Sequence, residues 1–285
     1  MRVAPVANRS CFIPRIPPML SAVTFVVFLC ITSSVVRAQT VSTSVRNQLI
    51  DRVLADFPDQ GDCLKDMTAK VQAAFRKNSS IDEIDLDHDG KKEYRIFGSG
   101  SCACGAQNCS IWIYRKIPNG FEPIFDSMGV DLKVSKSAHN FYDDLVVNSH
   151  DSAATQYRVT YAFDGRRYRE SKSEFVNLET KEVKPAEVQI HFPKGTSSAV
   201  LSGKVSIGFG DTYTLAAREG QTMKVEFPSR KTRLTLMIYD LSDKPVTNEW
   251  VTHWEGNLGS TGKYRIVVNS DSETPVAYNI SVKIQ

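Results

Sequence analysis

Hydrophobic positions change their period along the chain. Val45, Leu49, Val53 and Phe57 recur at i+4, which places them on one face of a helix over 44–57. Ser44 stands at the start of this run and Pro58 just after it, so they read as its cap and its stop. A second helix is predicted near Asp62–Phe75, with Leu64, Met67, Val71 and Phe75 on one face. After Asn78 the period shortens to two. Strands are predicted at Tyr94–Phe97, Ile111–Arg115, Phe121–Phe125, Leu145–Asn148, Arg158–Phe163 and Arg167–Glu170. Pro118-Asn119-Gly120 and Asp164-Gly165 supply turns between them. Residues 39–170 therefore read as an α+β domain, two helices packed on an antiparallel sheet.

Residues 171–186 are polar and close on Pro185, so they read as a linker. Residues 187–285 are strand-like throughout. Seven runs are predicted: Val200–Val205, Tyr213–Ala217, Met223–Phe227, Leu234–Tyr239, Thr252–Asn257, Tyr264–Val268 and Tyr278–Ile284. In the last, Tyr278, Ile280, Val282 and Ile284 alternate with Asn279, Ser281 and Lys283, a strand with one buried and one wet face. Seven strands in about 100 residues fit an all-β sandwich domain.

The N-terminus carries a different pattern. Arg2, Arg9 and Arg15 precede the apolar run Met19–Ile31, and Val36-Arg37-Ala38 follows. This order predicts a signal peptide over 1–38, cleaved after Ala38, and a periplasmic or extracellular location. A retained anchor is the competing reading, since Met19–Val36 is near the minimum length for a span. The charge changes with cleavage. The whole chain has 35 bases against 32 acids, a net +3. The signal takes four Arg and no acid, leaving 31 against 32. The apparent basicity belongs to the signal, and no basic stripe with interleaved aromatics remains to favour nucleic acid. No stable membrane insertion is expected after cleavage.

Cys63, Cys102, Cys104 and Cys109 remain. An even count in an exported chain reads as two disulfides. The pairings 63–102 with 104–109 and 63–104 with 102–109 both stand, the first favoured by the short Gly105–Asn108 loop. A four-thiolate zinc site competes with them, against an unusual spacing.

The sharpest motif is Asp85-Leu-Asp87-His-Asp89-Gly90-Lys-Lys-Glu93. Carboxylates at alternate positions before a turn-permitting Gly wrap oxygens around a hard cation. Asp85, Asp87, Asp89 and Glu93 are the candidate ligands, and calcium, in a structural role, is the candidate ion. Position 12 is Ile96, so the bidentate Glu of an EF-hand is absent. A filled loop would pin the crossover from helix to sheet. Trp250 and Trp254, four apart, are candidates for stacking a sugar or peptide, against the competing reading of core packing. His139, Asp143, Asp144 and His150 are the residues from which an acid/base pair or a second metal site would be assembled.

The first half resembles exported bacterial proteins that share Asp85–Tyr94, Cys104–Arg115, Asp144–Val147 and Phe163–Tyr168. Its acidic loop is similar to those of FG-GAP and VCBS-type repeats. The second half resembles bacterial pre-peptidase C-terminal (PPC) domains through Leu201–Val205, Asp211–Tyr213, Ala217–Met223, Leu236–Tyr239 and Gly262–Val267. It is similar, more weakly, to periplasmic inhibitors of invertebrate-type lysozyme, which insert an S-G-x-x-Y loop where this chain has Ser260-Thr-Gly262-Lys-Tyr264. The resemblance implies a β-sandwich without catalysis of its own. The expected function is non-catalytic binding of another exported protein or an envelope polymer. The alternatives are a periplasmic inhibitor of a hydrolase such as lysozyme, and an enzyme of unknown chemistry in the first half.

Overall fold

The computed structural model describes residues 41–228 and 233–285. The predicted signal peptide lies outside the described residues. Among the described residues the fold is mostly β, with three short helices preceding the strands and four sheets. Among the described residues, no helix is long and apolar enough to cross a membrane.

Helix α1 (Thr43–Asp56) starts earlier than its apolar pattern implies. Ser42, not Ser44, caps it, and its Oγ accepts from the Val45 N–H at 3.3 Å. Pro58 does not stop a helix but opens α2 (Pro58–Lys65), where its missing N–H costs nothing. The predicted helix at 62–75 is two helices. Asp66 ends α2 and α3 runs Ala69–Asn78. Met67 sits in the turn between them, so an i+4 recurrence across a turn had the look of one stripe. Gly61 lies where α1 and α2 meet: a Cβ there would stand 2.5 Å from the Leu54 carbonyl oxygen.

The first sheet is an antiparallel meander of β1 (Ser80–Ile84), β2 (Glu93–Phe97), β3 (Cys109–Ile117) and β4 (Gly120–Gly129). Its two faces serve two cores. Tyr94, Ile96, Trp112 and Tyr114 meet Leu49, Ile50, Val53 and Phe75 of the helices. Ile111, Ile113, Ile124 and Phe125 meet a second sheet through Leu132, Leu145, Val147, Phe163 and Tyr168. That second sheet contains β5 (Asp131–His139), β6 (Tyr142–His150), β7 (Thr155–Phe163), β8 (Tyr168–Asn177) and β9 (Val183–Pro185), in sequence order. The helices thus rest on one sheet, which rests on another. Residues 171–186, read as a linker, are strand for much of their length. They are polar because most of β8 is not buried, not because the chain is free there.

Among the described residues there are two disulfides: Cys63–Cys102 ties α2 to the segment between β2 and β3, and Cys104–Cys109 closes a short loop at the end of that segment. This is the favoured pairing, and it displaces the zinc reading. The first closes a separation of 39 residues, worth about 4 kcal/mol of denatured-state entropy in the loop-closure picture.

The seven strands predicted in the last hundred residues all form, as β11 (Ser198–Val205), β12 (Asp211–Ala217), β13 (Thr222–Glu226), β14 (Leu234–Tyr239), β15 (His253–Asn257), β16 (Gly262–Ser270) and β17 (Val276–Ile284). A short β10 (Val188–Gln189) adds to them, pairing parallel to β12. The sheets are β10-β12-β16-β14 and β11-β17-β13-β15. Val205, Tyr213, Met223, Val225, Ile238, Ile266, Ile280 and Val282 share one core between them, consistent with a β-sandwich.

The described residues fall within one compact unit, and a polar clasp crosses it. Lys184 of β9 donates to Asp211 Oδ1 of β12 at 3.0 Å and to the carbonyls of Lys204 and Phe209 at 2.6 and 3.3 Å. Its ammonium also lies 4.2 Å from the centre of the Phe209 ring. Tyr278 donates to Asp211 Oδ2 at 2.6 Å, and Tyr213 donates to Tyr278 at 2.8 Å. Burial, then the bond to Asp211, pushes the Tyr278 hydroxyl far above the usual phenol range. Gly203 faces this network, and any Cβ there would collide with Asp211 and Tyr278.

The side chains of Lys184 and Asp211 are only 11% and 16% exposed, so removing one charge leaves the other poorly solvated. Asp211→Ala is expected to cost about 3 kcal/mol in urea unfolding. Gly203→Ala is expected to destabilise in the same assay by displacing the same carboxylate. A cost for Asp211→Ala no larger than that of an exposed ion pair would show that the clasp contributes little.

Candidate functional site

The acidic motif is the connection between β1 and β2, residues 85–92. It therefore turns a hairpin within the first sheet; the expected helix-to-sheet crossover is corrected, because β1 intervenes. The loop is shaped by its own side chains. Asp87 Oδ1 accepts from the Asp89 N–H at 3.1 Å, and Asp89 Oδ1 from the Lys91 N–H at 2.7 Å. His88 and Gly90 take φ of +59° and +84°. A Cβ at Gly90 would meet nothing within 4 Å, so the backbone angle rather than space selects glycine there. Leu86 points into the core between the sheets. Its carbonyl accepts from the Asp143 N–H at 2.8 Å, which ties the loop to β6.

Asp85, Asp87 and Asp89 each offer an oxygen, and these lie within 4.8 Å of one another, close enough to hold one metal ion. Lys92 Nζ donates to Asp85 Oδ2 at 2.8 Å and Lys91 Nζ to Asp89 Oδ2 at 2.9 Å. These bonds hold both carboxyls below their ordinary range. Asp85 Oδ1 is buried and makes no hydrogen bond of ordinary geometry, although the Gly90 N–H also helps to hold the Asp85 carboxyl down. Glu93, the fourth predicted ligand, is not part of this cluster. It is 3% exposed, and its Oε2 accepts from the Leu86 N–H at 2.9 Å. Burial pushes its carboxyl up to about 6, opposed by that bond and reinforced by the charge of Asp87. A cleft of about 410 Å³ opens beside the loop, lined by Asp87, Asp89, Glu93, Tyr94, Arg115 and Tyr142 among others.

The predicted His and Asp group is brought together only in part. His139 Nδ1 lies 2.7 Å from Asp144 Oδ1. Asp143 Oδ2 is 3.1 Å from His88 Nε2, a pairing across 55 residues that spacing did not reveal. His150 ends β6 at the opposite end from Tyr142. Trp250 is 42% exposed and precedes β15. Trp254 lies within β15 and packs against the sandwich core. No ring contact joins the two. In the 260–264 turn Tyr264 is buried, and its hydroxyl donates to the Ser260 carbonyl at 2.7 Å. This ring is folded back rather than offered for insertion.

No family model matches this chain, and no curated protein matches it. Over about a third of its length it is similar to the following solved structures. PliG of Aeromonas hydrophila, a periplasmic inhibitor of g-type lysozyme, is 28% identical, with 35% of this chain and 96% of that one covered and a TM-score of 0.32. PliG of Salmonella Typhimurium is 21% identical over 36% and 100%, with a TM-score of 0.30. The pre-peptidase C-terminal domain of a Bacillus anthracis collagenase is 16% identical over 35% and 94%, with a TM-score of 0.26. The inhibitors so matched are of g-type lysozyme, whereas the weaker sequence resemblance, through the strand pattern, is to inhibitors of the invertebrate type.

The folded carboxyl of Glu93 titrates above its ordinary 4.5. The folded state therefore holds this proton more tightly than the unfolded state. Its contribution is fully present below about pH 4.5 and is lost as pH rises through 6. Glu93→Gln, compared with the parent chain in chelator, should remove a loss on the order of 2 kcal/mol between pH 4.5 and 7. Parallel stability curves for the two chains would contradict the raised value.

Proposed function

We propose that this protein is an exported, non-catalytic binding protein that recognises another exported protein or an envelope polymer, with a calcium ion as a structural part of the 85–90 loop. The observation that carries the cation is the triad of converging carboxylates, in which Asp85 Oδ1 is buried and makes no hydrogen bond of ordinary geometry. The donors are all oxygens, which suit a hard cation. Asp85, Asp87 and Asp89 would hold it, and Lys91 and Lys92, whose side chains are 86% and 43% exposed, are free to swing away. Two of the three carboxylates also line the cleft, so a cation there would shift the cleft's charge balance toward positive. Its chemistry would be local: neutralising the triad and stiffening the hairpin that carries the cleft wall. The two disulfides support an oxidising, extracytoplasmic location.

Adding millimolar calcium to the chelator-treated protein should raise its melting temperature, and Asp87→Asn should abolish that rise. An unchanged melting temperature in the parent chain would end the calcium reading. Affinity capture from envelope extract, with and without chelator, tests the binding role. Residual activity of a g-type lysozyme mixed with the protein separates that role from hydrolase inhibition.

A further inference from the structure

β5 and β6 are joined by a turn of two residues. His139 pairs with Tyr142 across it, leaving Asn140 and Phe141 at the tip. Both have positive φ, +50° and +70°, as a tight hairpin turn of the primed type demands. Asn suits such a position and Gly suits it better. A Phe at +70° is strained, because its Cβ crowds the backbone. Its ring gains nothing from the fold in return. Phe141 is 88% exposed, the highest value of any large hydrophobic side chain among the described residues.

The tip is held from several sides. Asn140 Nδ2 donates to the Phe163 carbonyl at 2.7 Å, which fixes the tip against the neighbouring 164–167 turn. Tyr142, next in sequence, stacks on Phe163 with ring centres 4.0 Å apart. His139 is held by Asp144. The adjoining turn is itself pinned, with Asp164 Oδ1 accepting from the N–H groups of Arg166 and Arg167. The result is an apolar ring on a braced, convex point, aimed in one direction at the cost of backbone strain.

We infer that Phe141 is the anchor of an interaction surface, and that its partner is a protein with an apolar pocket the size of one aromatic side chain. This inference rests on the binding-protein reading and names a surface for it. A fixed direction matters to a pocket, which must be entered along one line, whereas a bilayer accepts apolar groups at any angle. A single aromatic side chain is also a weak membrane anchor. The charges near the tip are taken up in pairs, His88 with Asp143, His139 with Asp144, Arg169 with Asp164 and Arg167 with Asp126, so they provide no polybasic attraction to anionic lipid. A buried aromatic anchor on a preorganised support is the usual centre of a protein interface.

The test is site-specific photocrosslinking in the exporting cell. p-Benzoylphenylalanine replaces Phe141, Lys92 on the cleft rim, or Val200 on the sandwich in the full chain. At 141 one defined polypeptide should be captured, and it should not be captured at 200. The purified polypeptide should bind the parent chain at least tenfold more tightly than Phe141→Gly. That variant should melt no lower than the parent, because glycine relieves the turn. Lipid adducts alone at 141, no adduct there, or equal affinities for the two chains would overturn the inference. Adducts at 92 without any at 141 would remove the tip and leave the binding role; silence at all three positions would count against both.

Discussion

One ammonium group ties the two halves of the described chain together. Lys184 arrives on the last strand of the second sheet and finds a carboxylate and two carbonyls of the sandwich within hydrogen-bond reach. A charge so enclosed is tolerable only when its hydrogen bonds are met. The geometry of β9, β11 and β12 is therefore fixed jointly. The network reaches further through Tyr278 to Tyr213, so a polar chain runs into a core that is otherwise largely apolar. Glycine at 203 is a condition of this arrangement rather than a local turn requirement.

The acidic loop depends on a comparable constraint at smaller scale. Leu86 is inserted between two sheets while its neighbours on either side are carboxylates. The buried leucine sets where Asp85 and Asp87 stand, and the bond from Asp143 to its carbonyl sets the depth. The three carboxylates thus converge because a hydrophobic side chain and a backbone bond hold them there, against their mutual repulsion. Lys91 and Lys92 offset part of that repulsion when no cation does so.

The sandwich was legible in the sequence because its strands bury one face and wet the other, as the alternation from Tyr278 to Ile284 shows. β5 was not, because it is an edge strand whose Val134 is exposed and whose Lys136 breaks the alternation begun by Leu132 and Val134. β8 was misread for a related reason: a strand with few buried positions has the composition of a linker. The carboxylate triad followed from spacing alone, since all its members lie within five residues. Glu93 did not follow, because its partner is a backbone N–H seven residues back. The His88 and Asp143 contact was hidden for the opposite reason, as it joins two sheets far apart in sequence. Phe141 carries no sequence signal of exposure; only the backbone angle and the hairpin tip reveal it.

The clasp has a second consequence, for solubility. β11 is an edge strand, paired on one side with β17, and unpaired backbone groups along such an edge invite another chain to add a strand. At one end of β11 the Lys204 carbonyl is taken by Lys184, and at the other the Ser198 carbonyl accepts from Thr196 Oγ1 at 3.2 Å. The same ammonium that joins the halves therefore also occupies one of the edge carbonyls that an added strand would have to pair with.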